Sequence, residues 1–467
     1  MSLKLHNTLS GQAEEFTPLE PGVARMYVCG PTVYNRAHIG NFRTFVTTDF
    51  LRRALRHLGY RVVEVMNLTD IEDRIIRFAQ EAGTDLRGFT EQWIRAFEED
   101  MTTLRLERPE HFPRATDHIP AMIALVEQLT ANGHTYTAEG SIYFRIASFP
   151  EYGQLSRLDV SGIKPGARVD NDRYEKEDAR DFVLWKLKSD EPGWAQWEAP
   201  FGPGRPGWHL ECSAMGMKYL GETFDIHCGG IDLIFPHHEN EIAQSVCGTG
   251  KPFVRHWFHV AHLLIDEQTM SKSKGNFLTV PEVLAEGQSV DTLRYFFATA
   301  HYRKSLNFTW EALGHAAAAV ERIQGLVRRL DEVERPGPTT PEAEDTCRRA
   351  REQFTAALAD DLNTPEALAA VHGLVGEANA LLAAGALTAG AAATVRAELA
   401  SMDTVFAVFL PSGEDRLSAS ERALFDERQA ARQRRDFKAA DVARAELEAL
   451  GVVLEDTVKG TRWRRRR

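Results

Sequence analysis

The chain has 467 residues and a mass of 52.4 kDa, enough for about three domains with a full-sized core. Its composition, 43% hydrophobic and 26% charged, is that of a soluble globular protein, and the net charge of −12 argues against a protein that coats nucleic acid indiscriminately. No apolar run approaches the roughly 18 residues that span a bilayer, the N-terminus lacks a signal-peptide core, and the five scattered cysteines form no disulfide framework. A cytoplasmic, reducing setting without a membrane is therefore expected.

In chain order, the apolar run Met26–Cys29 reads as a strand that turns through Gly30-Pro31 into a helix carrying Phe42, Phe45, Val46, Phe50, Ala54 and Leu58 at helical spacing. A sharp strand-to-helix turn offers free N–H groups and a partial positive charge, a ready phosphate site. His38 and Asn41 can add donors there, and Gly40 permits close approach. Tyr60–Met66 reads as a second strand, making a β-α-β unit. Thr69 or Asp70 is expected to cap a helix ending at Gly83, and further helices are expected over about 90–106 and 116–130. Alternating residues on either side of Glu139-Gly140 predict a hairpin, and residues 118–205 read as an insertion into the α/β fold. Helices over 208–220 and 237–246 and strands over 224–228 and 258–265 follow. Residues 331–345 are a linker by composition, 346–409 an alanine-rich helix bundle, and 410–413 a second linker. In the tail, residues 421–467, 13 Lys and Arg face 9 Asp and Glu, which hints at a local polyanion contact.

Three groups of residues could carry chemistry, one of them Gly207-Trp208-His209 with Asp225, His227 and Asp232, which crowd aromatic, imidazole and carboxylate groups around the second half of the sheet. Cys29, Cys212, His237 and Glu241 are soft and borderline metal ligands, and the last two sit four apart on one helix face. Spacing alone leaves Cys228, Cys247, His227 and His238 as rivals of equal merit. Met270-Ser271-Lys272-Ser273-Lys274-Gly275-Asn276 is a cationic, donor-rich loop able to close over a polyphosphate.

Read together, His38-Ile39-Gly40-Asn41 at a first strand-to-helix turn and the later Met-Ser-Lys-Ser-Lys-Gly-Asn resemble the paired signatures of class I aminoacyl-tRNA synthetases. Tyr-Val-Cys-Gly-Pro-Thr-Val-Tyr, Asn-Leu-Thr-Asp, Gly-Trp-His-Leu-Glu-Cys-Ser (207–213), Asp-Ile-His-Cys-Gly-Gly (225–230) and Pro-His-His-Glu-Asn-Glu (236–241) narrow the resemblance to the cysteinyl-tRNA synthetase family. It runs nearly end to end.

The resemblance implies an α/β fold: a Rossmann-type parallel-sheet catalytic domain with an insertion, then a helical bundle and a small C-terminal anticodon-binding domain. The divisions it suggests are 1–117 and 206–255 for the two catalytic halves, 118–205 for the insertion, 256–325 for the Met-Ser-Lys-Ser loop and stem-contact region, 326–409 for the bundle and 416–467 for the anticodon domain. It implies activation of L-cysteine with Mg-ATP and transfer to the 3′ end of tRNA(Cys), by a monomer. One Zn2+ per chain would be held by Cys29, Cys212, His237 and Glu241 and would grip the substrate thiolate. Zinc prefers thiolate to hydroxyl, whereas pocket size separates cysteine from serine poorly. By the same resemblance His38 and Lys272 are catalytic, His38, Gly40, Asn41 and Lys272 bind ATP, and Thr69, Trp208, His227 and Asp232 bind cysteine. Two positions depart from the family pattern: Asn41 stands where the first signature has histidine, and Thr269 where the loop signature begins with lysine. The alternatives are a mycothiol-pathway cysteine ligase and a catalytically silent tRNA-binding paralogue. The complete basic tail argues against the first, and the presence of His38, Lys272 and four ligands against the second.

Overall fold

A hairpin of β1 (Lys4–Asn7) and β2 (Gln12–Glu15) leads into β3 (Val23–Val28), where Ala24, Met26, Tyr27 and Val28 expose no surface. A parallel strand covered on both faces demands such a run. The computed structural model describes residues 2–157, 181–187, 192–270, 275–410, 418–457 and 460–465. After β3 the chain crosses through α1 (Ile39–His57) to β4 (Arg61–Met66), which pairs with β3 in parallel. The turn of Gly59, at φ 94°, falls where the sequence predicts the helix to stop. Next come α2 (Asp73–Glu81), α3 (Leu86–Thr103) and α4 (Ile119–Ala131).

The strands β5 (Thr135–Ala138), β6 (Ser141–Phe144), β7 (Phe182–Lys186) and β8 (Arg205–Pro206) form a separate antiparallel sheet within the expected insertion. The parallel sheet resumes with α5 (Trp208–Leu220), β9 (Phe224–Gly230), α6 (Glu239–Thr249) and β10 (Val254–Val260). Its order is β10-β9-β3-β4. The chain thus runs outward from β3 in one direction, then from β9 in the other, and leaves a crevice at the carboxyl ends of those two central strands, where open α/β sheets bind ligands.

A small sheet of β11 (Leu263–Ile265), β12 (Gln268–Thr269) and, after α7 (Val280–Ala285) and α8 (Val290–Ala298), β13 (Leu306–Phe308) follows. The bundle is α9 (Trp310–Asp331), α10 (Pro341–Ala359), α11 (Thr364–Ala383) and α12 (Ala389–Phe406); its buried Leu, Val and Ala side chains continue the catalytic core without a break. The tail has its own small core of Leu447, Val452 and Leu454 between α13 (Ala419–Gln433), α14 (Phe437–Ala449) and the hairpin of β14 (Val452–Thr457) with β15 (Gly460–Arg465).

Several elements differ from the sequence reading. Residues 67–71 are not helical; α2 starts at Asp73 with Glu72 as its cap. Thr69 and Asp70 cannot cap it because their side chains are engaged elsewhere, Asp70 by Thr116 at 2.6 Å and Thr69 by Glu211 at 3.0 Å. The helix expected from 90 begins at Leu86, capped by Asp85. A short turn of 3-10 helix, Ala115–His118, precedes α4. The single strand expected over 258–265 is two, because β10 pairs with β9 and β11 pairs with β13. The first linker is shorter than expected, since α10 already begins at Pro341. Residues 411–417, most of the second, lie outside the described residues.

Candidate active site and metal centre

At the end of β3 the chain turns at Cys29-Gly30. The Gly30 N–H donates to Asn67 Oδ1 at 2.9 Å, and a Cβ at this position would lie 1.7 Å from the Asn67 carbonyl oxygen. No other residue fits there. His38 then caps α1: its Nδ1 accepts from the Asn41 N–H at 3.1 Å, and Asn41 Oδ1 accepts from the His38 N–H at 3.1 Å. This reciprocal box uses part of the donor capacity that the sequence assigned to phosphate. His38 Nε2 and Asn41 Nδ2 keep no partner among the described residues. The Met270 end of the second signature rests on this turn. A Cβ on Gly40 would lie 2.3 Å from Met270 Cε, the Phe277 ring meets His38 edge-on at 5.1 Å, and the Ile39 N–H donates to the Leu278 carbonyl at 2.8 Å. The two signatures, more than 200 residues apart, therefore meet across one cleft. Lys272 itself lies outside the described residues.

Burial lowers the His38 pKa to about 4, against the opposing pull of the Asp232 carboxylate. The imidazole is neutral at pH 7 and serves as a hydrogen-bonding group rather than a cation. An NMR titration of the His38 ring is expected to show no protonation above about pH 5; a midpoint near 6.5, the ordinary value, would contradict the buried environment. The unfolded chain takes up this proton first, so the shift implies stability that is present above 6.5 and lost as pH falls toward 4.

The cleft has a volume of about 1440 Å³. Cys29, His38, Gly40, Asn41, Trp208 and Asp232 all line it, whereas Thr69 and His227 are buried behind its wall. The insertion supplies another wall, with Lys186 Nζ 3.2 Å from Asp73 and Arg205 bonded to the same carboxylate. On the opposite side Glu239 accepts from the Gly153 and Ser156 N–H groups at 2.9 and 2.8 Å, which fastens the insertion to α6.

At the carboxyl ends of β3 and β9, four buried donors, Cys29, Cys212, His237 and Glu241, bring one ligand atom each within 4.8 Å of one another. The rival set Cys29, His227, His238 and Glu241 meets the same distance test. The two sets differ at His227, whose Nε2 is already bonded to Glu241 Oε2 at 2.8 Å; His238 is held at Nδ1 by His259 Nε2 at 2.8 Å and turns its Nε2 to Cys29 Sγ at 3.3 Å. Glu241 Oε1, fully buried, faces His237 Nε2 at 2.9 Å. His237 Nδ1 meets His209 Nδ1 at 2.8 Å, and the Trp208 ring stacks on His237 at 4.3 Å. In the first set, then, the imidazole and the carboxylate each present one free atom inward while an outer partner holds the other, the usual support of metal ligands. The local charges agree. A hydrogen bond from Cys29 holds the Cys212 thiol down to about 6, while burial pushes Cys29 up. Burial disfavours charge on His237, but Glu241 and Cys212 overcome it and lift the imidazole to about 10. Burial likewise raises Glu241, yet His227 and His237 bring it to about 2. Cys212 and Glu241 are thus favoured in their anionic forms beside the His237 ring. Asn67 and Glu211 take part in this arrangement although the sequence reading did not single them out, and His209 and His238 join them. All four lie inside quoted motifs, which was the available signal.

A parallel sheet with a signature turn at its crevice, an insertion, and a second signature whose flanks, Met270 and Phe277, rest on that turn define a class I aminoacyl-tRNA synthetase. Residues 15–318 match the family model described as the tRNA synthetases class I (C) catalytic domain. Two structures of Mycobacterium tuberculosis methionyl-tRNA synthetase bound to methionyl-adenylate share the fold, with TM-scores of 0.60 and 0.63 at 16% identity. Each alignment covers 82% of this chain and 90% or 92% of the other. The chain belongs to the cysteinyl-tRNA synthetase family. Cysteine–tRNA ligases of Solibacter usitatus and Halorhodospira halophila are 49% and 46% identical to it, with 100% of both partners covered in each case. Residues 353–410 match a DALR domain and 414–464 a cysteinyl-tRNA ligase anticodon binding domain. No described helix is long and apolar enough to cross a membrane.

Proposed function

We propose that this chain is a cysteine–tRNA ligase that activates L-cysteine with Mg-ATP and transfers it to tRNA(Cys), with one zinc ion held by Cys29, Cys212, His237 and Glu241. The observation that carries this reading is the convergence of two buried cysteine sulfurs, an imidazole and a carboxylate beside the signature turn, with Glu241 Oε1 facing His237 Nε2 at 2.9 Å. Two sulfurs, one imidazole and one carboxylate suit tetrahedral zinc. When bound, zinc supplies a soft Lewis acid that prefers a thiolate substrate to a hydroxyl.

The chain's own groups account for the remainder. Trp208 covers His237 and forms the pocket wall. The substrate carboxylate attacks the α-phosphorus of ATP; a P–O bond breaks, pyrophosphate leaves and cysteinyl-adenylate forms. Neutral His38, the α1 N-terminus and Lys272 would take up the charge that grows on the phosphates. In the second step a ribose hydroxyl at the tRNA 3′ end attacks the acyl carbon and AMP departs. The tail, with Trp463 and its arginines on β15, would read the anticodon by stacking and phosphate contacts.

Metal analysis together with cysteine-dependent pyrophosphate exchange and tRNA charging tests the proposal. One zinc per chain, exchange that requires cysteine, and charged tRNA(Cys) are expected. Exchange without charging would favour a small-acceptor cysteine ligase, and absence of both a silent paralogue.

A further inference from the structure

We infer that Asn67 is the positioning residue of the proposed metal centre: its carboxamide holds the two cysteine-bearing segments in register with the end of β4. The inference rests on the metal reading above.

Asn67 follows the last residue of β4 and is 1% exposed. Its Oδ1 accepts from the N–H of Gly30, the residue after Cys29, at 2.9 Å and lies 3.8 Å from Cys212 Sγ. Its Nδ2 donates to Thr69 Oγ1 at 3.1 Å, and that hydroxyl donates to Glu211 Oε2 at 3.0 Å. Glu211 is the neighbour of Cys212 on α5. One carboxamide therefore touches three chain segments: the turn after β3, the end of β4 and, through Thr69, the start of α5. The polarity of the chain is unique. The Gly30 N–H can only donate, so the oxygen must face it and the nitrogen must face Thr69. Reversing the amide would set two donors against each other and leave a buried group unsatisfied. Gly30 has no Cβ that could push the turn away, so the contact is as close as backbone allows.

The two sulfurs lie 3.9 Å apart on separate elements, the end of β3 and α5, and the Asn67 network ties both segments to the end of β4. A tetrahedral site tolerates little spread in that separation. Outer partners of metal ligands commonly govern affinity by roughly 10–100-fold.

The test uses the full chain with Asn67→Ala and the milder Asn67→Ser, whose short hydroxyl cannot span from β4 to Gly30. Zinc affinity is measured by competition with a chromogenic chelator, and the cobalt-loaded proteins are compared by visible absorption, which reports ligand geometry. Zinc binding about 10-fold or more weaker, with an altered cobalt band in a variant that melts cooperatively, is the expected result. Parent-like zinc affinity and an unchanged cobalt band in either folded variant would overturn the role of Asn67. A parent chain that itself binds no zinc would instead overturn the metal reading, so the two failures are distinct.

Discussion

Replacing Lys272 by alanine is expected to slow cysteine-dependent pyrophosphate exchange by roughly 10²-fold or more while cysteine binding stays nearly unchanged, the scale of losing one donor aimed at developing charge. The flanks of the loop explain why so distant a residue should act at the first signature. Met270 packs on Gly40, Phe277 on His38, and the Leu278 carbonyl accepts from the first residue of α1. Thr269, in place of the usual lysine, sits on exposed β12, so the loop's charge must come from Lys272 and Lys274. Single-turnover measurement of adenylate formation, alongside equilibrium binding of cysteine, checks this. Equal turnover by the variant would refute the role.

The second large effect concerns the ligands. Cys212→Ser and Glu241→Ala are each expected to reduce bound zinc and weaken cysteine binding together, by more than the roughly 10–100-fold typical of an outer partner. Serine keeps the shape but offers a harder donor of much higher pKa. Glu241→Ala removes an inward oxygen and also strands His227, whose Nε2 donates to that carboxylate at 2.8 Å in a fully buried site. That orphan alone costs about 1–3 kcal/mol. Glu241→Gln, which keeps an acceptor for His227, should retain stability while still losing zinc. Elemental analysis of the purified variants decides the matter: full zinc in both Cys212→Ser and Glu241→Ala would mean that other residues hold the metal.

Much of the fold was legible from periodicity. The helix over 208–220 matches α5 residue for residue, and the Glu139-Gly140 hairpin forms with both residues at positive φ, 47° and 81°. Local chemistry suffices in those cases. The start of α2 was misread because Thr69 and Asp70 are good caps in isolation, and only tertiary partners, Glu211 and Thr116, divert them. The split of 258–265 into β10 and β11 is similar: an apolar run does not say with which neighbour each residue pairs.

The candidate metal donors show the same division. Their identities stood in the sequence, but so did those of Cys228, Cys247, His227 and His238, and spacing ranked none above another. Residue types and the two signatures determined which class of chemistry this chain could perform. Only the folded sheet decided which donors converge, because parallel pairing of β3 with β9 brings residues some 180 to 210 positions apart to one crevice. There, Glu241 Oε1 faces His237 Nε2 at 2.9 Å, while its other oxygen is taken by His227 Nε2 at 2.8 Å.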